Sequence, residues 1–154
     1  MITFEMETVD QAFDPHAMAW LARYHEEAVR TGVRMFDNNN VNQYKTIERQ
    51  GALRLLVARR DNLQIGFCTC FVMRSNQAAE LVGQIDMIYV VPGMRGTMIG
   101  MNMVCRLTEQ LRKEGVTLFR AFSATKVNSG PLWEWLGFEK VGTIYEKLSP
   151  AITH

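Results

Sequence analysis

The residues best suited to chemistry lie between 84 and 100. A run of Ile85-Asp86-Met87-Ile88-Tyr89-Val90-Val91 meets Pro92-Gly93-Met94 and continues as Arg95-Gly96-Thr97-Met98-Ile99-Gly100. The pattern reads as a strand that passes through a glycine-bearing loop into a helix. The first N–H groups of a helix have no intrahelical acceptor. They lie at the positive end of the helix dipole, so the loop is an anion site. Arg95 adds a fixed positive charge, and Gly96 and Gly100 let backbone approach a bulky diphosphate. Each hydrogen bond to a charged oxygen contributes about 1.5–3 kcal/mol. An ordinary strand-to-helix turn has the same spacing, so the loop alone leaves both readings open.

The elements that must hold this loop follow from periodicity and turn residues. Residues 2–9 alternate as a first strand. Asp14-Pro15 opens a helix that carries Ala17, Trp20, Leu21, Tyr24 and Ala28 at helical spacing and ends near Gly32. A second, more polar helix covers 40–50 after the Asn38-Asn39-Asn40 run. Strands follow at 53–60, 63–74 and 80–91, with Asp61-Asn62 and 75–79 as turns, giving an antiparallel meander. Residues 98–114 form a helix with an apolar stripe of Ile99, Met103, Val104, Leu107 and Leu111. Cys105 is read as part of that buried face. A strand at 116–123, a short helix at 131–136 and a closing strand at 138–148 complete the chain. The fold class is α/β (α+β), a mixed, mostly antiparallel sheet with helices on both faces, in the order β-α-α-β-β-β-α-β-α-β.

Bulk composition narrows the function classes. The 154 residues are 47% hydrophobic and 21% charged, with a net charge of +1. That is enough chain for one domain over 1–154 with a real core. The charge balance gives no support to a nucleic-acid or membrane partner. The apolar runs are too short to span a bilayer. The first residues show no signal-peptide pattern, and three cysteines form no disulfide framework, so a cytoplasmic location is expected. Cys68 and Cys70 sit two apart on one strand face and read as small buried hydrophobes, with no metal site.

The stretch from Val90-Val91-Pro92-Gly93-Met94 into Arg95-Gly96-Thr97-Met98-Ile99-Gly100 resembles the coenzyme A motif of the GNAT superfamily of N-acetyltransferases. Asn128 with Trp133-Glu134-Trp135-Leu136-Gly137-Phe138 resembles the family's downstream Asn…Tyr-x-x-x-Gly-Phe element. Gln64-Ile65-Gly66-Phe67 is similar to its glycine-bearing strand. The resemblance covers roughly 50–148. It departs at Met98, where the family places a glycine, and at Trp133, which stands at the position of the tyrosine general acid.

The resemblance implies that acetyl-CoA and an amine bind together and that the amine attacks the thioester directly. Val90 and Val91 would present backbone to the pantetheine amides. Arg95, Gly96, Thr97, Met98, Ile99 and Gly100 would take the diphosphate. Asn128 would hold the pantetheine or cap the short helix. A lysine-like amine, pKa about 10.4, must lose a proton first. Asp86 is the candidate base; the alternative reading is a solvated carboxylate or one paired with an arginine. Tyr89 is the substitute acid or a core residue. Trp133 would hydrogen-bond the thioester sulfur or pack on the pantetheine, since an indole N–H donates without titrating. Ser129 is a lesser candidate near the thioester. His16, His25 and His154 read as solvated or capping. Met18, Trp20, Tyr24, Met35 and Phe36 are core, some lining an acceptor groove. The expected partners are acetyl-CoA, an amine acceptor on a small molecule or protein, and a second copy in a homodimer. Two other readings stand beside this one: a coenzyme A-binding module with little turnover, and a modifier of aminoacyl-tRNA.

Overall fold

The structure is a computed structural model that describes residues 1–29, 37–77, 79–123 and 128–149. Strand β1 (Ile2–Met6) leads into α1 (Val9–Ala12), α2 (Pro15–Ala28) and α3 (Asn38–Arg49). Strands β2 (Leu53–Arg60), β3 (Leu63–Arg74) and β4 (Leu81–Val90) follow. A 3-10 turn (Pro92–Met94), α4 (Ile99–Lys113), β5 (Leu118–Arg120) and α5 (Gly130–Trp135) end the ordered elements. The sheet order is β1-β2-β3-β4-β5. The first four strands are antiparallel neighbours, and β5 lies parallel to β4.

Local chemistry sets these boundaries. Thr8 caps α1 in a capping box with Gln11, and Asp14 accepts from Ala17 N–H with Pro15 in the first turn of α2. Asp37 caps α3 through Asn39 and Asn40 N–H. Asp61 and Asn62 take φ values of 50° and 69°, the left-handed pair that a tight hairpin turn needs. Met35, Phe36, the helix end expected at Gly32, and His154 lie outside the described residues.

Helices cover both sheet faces. On one, Ile99, Met103, Val104, Leu107 and Leu111 of α4 pack on Leu56, Cys68, Cys70 and Ile85. On the other, Val9, Ala12, Leu21 and Tyr44 of α1–α3 pack on Leu55, Val57, Phe67, Met87 and Tyr89. Burying a side chain of this size contributes roughly 1.5–3 kcal/mol. The two patterns on β4 are joined by a register slip. Thr69 faces Met87, but the next residue, Cys70, faces Ile85, so Asp86 is the extra residue of a bulge. Ile85 therefore faces α4 while Met87 and Tyr89 face α1–α3.

Three expectations are corrected. The strand expected at 138–148 does not form: residues 139–149 lie outside any strand and are exposed. Val141, Ile144 and Tyr145 are 90%, 66% and 91% exposed, so they lack a surface to pack on. The strand expected at 116–123 shortens to three residues because Val116 turns into the core beneath α4. Cys105 is exposed, because it lies one position off the apolar stripe of α4.

Gly66 sits where β3 meets β4 opposite Val90. A Cβ there would lie 2.9 Å from the Tyr89 carbonyl oxygen and 3.2 Å from Met103 Cε. The backbone oxygen cannot yield without shifting β4. Gly66→Ala is therefore expected to cost about 1–3 kcal/mol, as overpacking does. Urea titration followed by circular dichroism checks it, with Gly93→Ala, which meets nothing within 4 Å, as the neutral control.

Candidate active site

The site is built on the far half of β4. Pairing between β4 and β5 covers only Val82–Gln84 against Leu118–Arg120. Beyond Gln84 the two strands part. Val91 N–H donates to Ile65 on β3 at 2.9 Å, and strand alternation turns the backbone polar groups of Val90 the other way, into the opening. A cavity of about 460 Å³ lies at the end of this opening. Val90, Gly100, Met101, Leu132 and Trp135 help line it, together with the Met94–Thr97 loop. Its walls are thus an open strand edge, the start of α4 and the exposed face of α5.

The loop turns tightly from β4 into α4. Gly96 takes φ +77°, which lets the chain turn from the 3-10 segment into α4 without side-chain strain. Thr97 Oγ1 donates to the Met94 carbonyl at 2.6 Å and accepts from Ile99 N–H at 3.4 Å. Met98 is the N-cap residue and gives no side-chain cap; its side chain is 58% exposed. The N–H groups of Gly100 and Met101 belong to the first turn of α4, where no intrahelical acceptor exists. The Ile99 side chain is buried in the core.

Arg95 is not extended into the loop. Its Nε donates to the Val90 carbonyl at 2.8 Å and its Nη2 to Glu27 of α2 at 2.7 Å. The guanidinium lies over the Tyr89 ring, 5.2 Å from the centroid. Tyr89 is 4% exposed and stacks with Phe67. Its hydroxyl has no hydrogen-bond partner among the described residues. Burial raises the Tyr89 phenol above its ordinary value, and the Glu27 carboxylate adds to this.

On the α1–α3 face of the same strand, the bulge presents Asp86. Tyr44 of α3 donates its hydroxyl to Asp86 Oδ2, and Thr69 Oγ1 donates to the same oxygen at 3.2 Å. Thr69 Oγ1 in turn accepts from Met87 N–H at 3.0 Å, which fixes its proton toward Asp86. Burial raises the Asp86 carboxyl above its ordinary value; the Tyr44 and Thr69 hydrogen bonds pull the other way without winning. The carboxylate reciprocates. Tyr44 rises far beyond the ordinary phenol range, through burial first and then the Asp86 charge. Tyr24 is pushed up to about 12 by the same two causes. Both tyrosines are therefore hydrogen-bonding groups at neutral pH and not proton reservoirs.

The remaining sequence candidates fall elsewhere. Trp133 is 6% exposed, packs edge-on against Phe138, and donates its indole N–H to Ser129 Oγ at 2.9 Å. The indole expected to meet a thioester thus faces the core, and Trp135, 77% exposed, lines the cavity instead. Asn128 Oδ1 accepts from Gly130 N–H at 3.0 Å and from Ser123 Oγ at 3.2 Å, so it braces the start of α5. His16 packs edge-on against Trp20. Burial raises both Cys68 and Cys70, the latter to about 12, which removes either as a thiolate. Sequence reasoning missed Tyr44, Thr69 and Glu27. The only sequence signal for Tyr44 and Thr69 is a lone acid in a central strand, which needs donors from elsewhere in the fold; Glu27, an acceptor for Arg95, has no such signal. Among the described residues no group of three acidic, histidine or cysteine side chains could hold a metal, and no helix is long and apolar enough to cross a membrane.

The fold has likenesses among known proteins. No curated protein matches the chain. Among solved structures, a ribosomal-protein-alanine N-acetyltransferase from Brucella melitensis biovar Abortus 2308 is 18% identical with a TM-score of 0.75, covering 96% of this chain and 99% of that one. A predicted acetyltransferase from Clostridium acetobutylicum, solved with acetyl-CoA, is 14% identical with a TM-score of 0.76 and 96% of each chain covered. An aminoglycoside acetyltransferase from a soil metagenomic sample, in complex with sisomicin, is 14% identical with a TM-score of 0.71, over 96% of this chain and 97% of that one. At these identities the likeness carries the fold. The model of the acetyltransferase (GNAT) family matches residues 11–138. With most of its length matched by that model, and with an open β4 edge leading to an uncapped helix start, this chain belongs to the GNAT acetyltransferase family.

Proposed function

We propose that the chain is a single acyltransferase domain that binds acetyl-CoA along the open edge of β4 and transfers the acetyl group to a primary amine. The observation that carries the reading is the parting of β4 from β5 after Gln84, directly beside the uncapped N-terminus of α4. Backbone groups freed from a ladder need partners, and the amides of a pantetheine arm supply them. The diphosphate then takes the N–H groups of the first α4 turn, backed by Arg95. The apolar cavity walls from Leu132 and Trp135 exclude water from the arm. Two of the similar structures are named for a ribosomal-protein alanine and an aminoglycoside, both of which carry amines, and this supports the acceptor class.

Asp86 is the general base in this reading. Four residues separate it from Val90, about 13 Å along a strand at 3.3 Å per residue. An arm running from Val90 back along the open edge brings the thioester toward the bulge, while the amine enters from the α1–α3 side. The amine gives a proton to Asp86 directly or through a water. Attack forms the new C–N bond and breaks the C–S bond; the attacking nitrogen passes its second proton to the departing thiolate, which leaves as the thiol, while Asp86 returns the first proton to solvent. A thiol with a pKa of about 8.5 is a fair leaving group unassisted, so burial of Trp133 does not block the step. A positioned base contributes roughly 10²–10⁴-fold. A binding-only module is the second reading, favoured by the placement of Trp133 in the core, away from the cavity. Release of free thiol from acetyl-CoA across a panel of amines separates the two.

Arg95→Gln is expected to weaken coenzyme A binding about tenfold or more, the loss of one charge-assisted hydrogen bond, measured by calorimetry. Absence of any heat with the parent protein would remove the reading. Asp86→Asn is expected to lower kcat/KM by roughly 10²–10⁴-fold and to erase an acidic limb that lies above the usual carboxylate value of about 3.9. The same variant reports on stability. The folded Asp86 carboxyl is raised, so its proton favours the folded state, and ionisation weakens the parent as pH rises from the unfolded value through the folded one. Asn keeps an acceptor oxygen for Tyr44 and Thr69 and carries no charge. Its melting temperature should match or exceed the parent's at neutral pH, by about 2–4 °C for each kcal/mol relieved, with the gap closing toward pH 4.

A further inference from the structure

The two oxygens of Asp86 have different surroundings. Oδ2 accepts from the Tyr44 hydroxyl of α3 and from Thr69 Oγ1 of β3, the latter at 3.2 Å. Oδ1 takes no hydrogen bond among the described residues, and Asp86 as a whole is half-buried. An oxygen that already accepts two hydrogen bonds is the poorer acceptor of a proton, because both donors stabilise the charge it carries. Oδ1 is therefore the more basic oxygen of the pair and the one left open.

Neither donor is free to swing away. Tyr44 is 9% exposed; its ring stacks on Phe71 with centroids 5.7 Å apart and meets Phe13 edge-on at 5.6 Å. Thr69 is fully buried, and its Oγ1 is held by Met87 N–H at 3.0 Å. The bulge gives Asp86 no partner of its own on β3, so two rigid hydroxyls from two other elements fix its carboxylate. We propose that Tyr44 and Thr69 are positioning residues for the base: they pin Oδ2 and leave Oδ1 as the oxygen that takes the proton of the acceptor amine. The proposal rests on the reading of Asp86 as the general base and adds to it the groups through which the rest of the fold acts on that base.

The same bonds have a consequence in pH. Both hydroxyls bond the ionised carboxylate and pull it down against its burial, so losing either raises the carboxyl further. A base must be ionised to act, and the acidic limb of the rate profile then moves to higher pH. The other titratable groups that feel this charge are Tyr24 of α2, Tyr44 itself, and Cys68 and Cys70 of β3. Burial is the first cause that pushes each of them up, so all four stay neutral where the limb lies. Among the described residues no lysine, arginine or histidine pairs with Asp86, and α1 and α4 present no charge to it.

Two readouts test the proposal on the full chain: NMR titration of isotope-labelled aspartate carboxyls, and the pH profile of thiol release from acetyl-CoA with butylamine, a lysine peptide and an aminoglycoside. In Tyr44→Phe the Asp86 titration and the acidic limb are both expected to rise by about one pH unit, a tenfold change in the ionisation constant for one lost charge-assisted bond. Thr69→Val is expected to move both the same way, and Thr69→Ser, which keeps the hydroxyl, to recover most of that change. Tyr24→Phe removes a hydroxyl that feels the charge without bonding it, and is expected to leave the titration in place. An Asp86 titration unmoved in Tyr44→Phe, or moved equally in Tyr24→Phe, overturns the proposal even where Asp86→Asn abolishes turnover. A titration that moves while the rate limb stays fixed removes Asp86 as the base, as does a parent that releases no thiol with any of the three amines, and the proposal falls with that reading. Circular dichroism checks the fold of each variant, and Thr69→Val probes the same oxygen without touching α3, so a Tyr44 variant that unfolds does not end the test.

Discussion

One extra residue in β4 governs the rest of the site. Thr69 faces Met87 and Cys70 faces Ile85, so Asp86 has no partner of its own on β3. A strand without this bulge would keep Ile85, Met87 and Tyr89 on one face. Here Ile85 packs under α4, while Met87 and Tyr89 pack under α1–α3. The slip brings Asp86 against the Tyr44 and Thr69 hydroxyls and turns Val90 toward the cavity. It lets one strand serve two surfaces, with a carboxylate on one and an open edge on the other.

The second constraint is the short pairing of β5. Three residues of parallel ladder are enough to hold Leu118–Arg120 beside β4, and then the strands separate. Gly83 sits inside this pairing with the Phe119 ring 3.0 Å from where a Cβ would lie. The wedge so formed is filled from below by Val116 and Phe119 and left open above. Open backbone in a parted sheet is costly unless a ligand or water satisfies it.

Much of this was legible in the residues themselves. The Asp61-Asn62 turn, the Asp14-Pro15 helix start and the α4 stripe each rest on a local rule, and the fold obeys all three. The meander also emerges at the expected places, because turn residues and alternation agree there. The bulge was not legible. A period-2 reading cannot register a one-residue slip, since it depends on how two strands match each other. The partners of Asp86 were hidden for a similar reason, as Tyr44 and Thr69 lie 42 and 17 residues away in the chain. Trp133 and Trp135 differ by two positions on a six-residue helix, and only its docking decides which one faces in. The stretch after α5 has strand-forming residues without a surface to pair with, so composition pointed to an element that tertiary structure does not supply.

That bare stretch has a practical consequence. Residues 139–149 lie outside any strand and present Val141, Ile144 and Tyr145 to water. Exposed peptide of this kind adheres to other chains when concentrated and is open to proteases at Lys140 and Lys147. Long-term storage and crystal growth will depend on how this stretch is shielded.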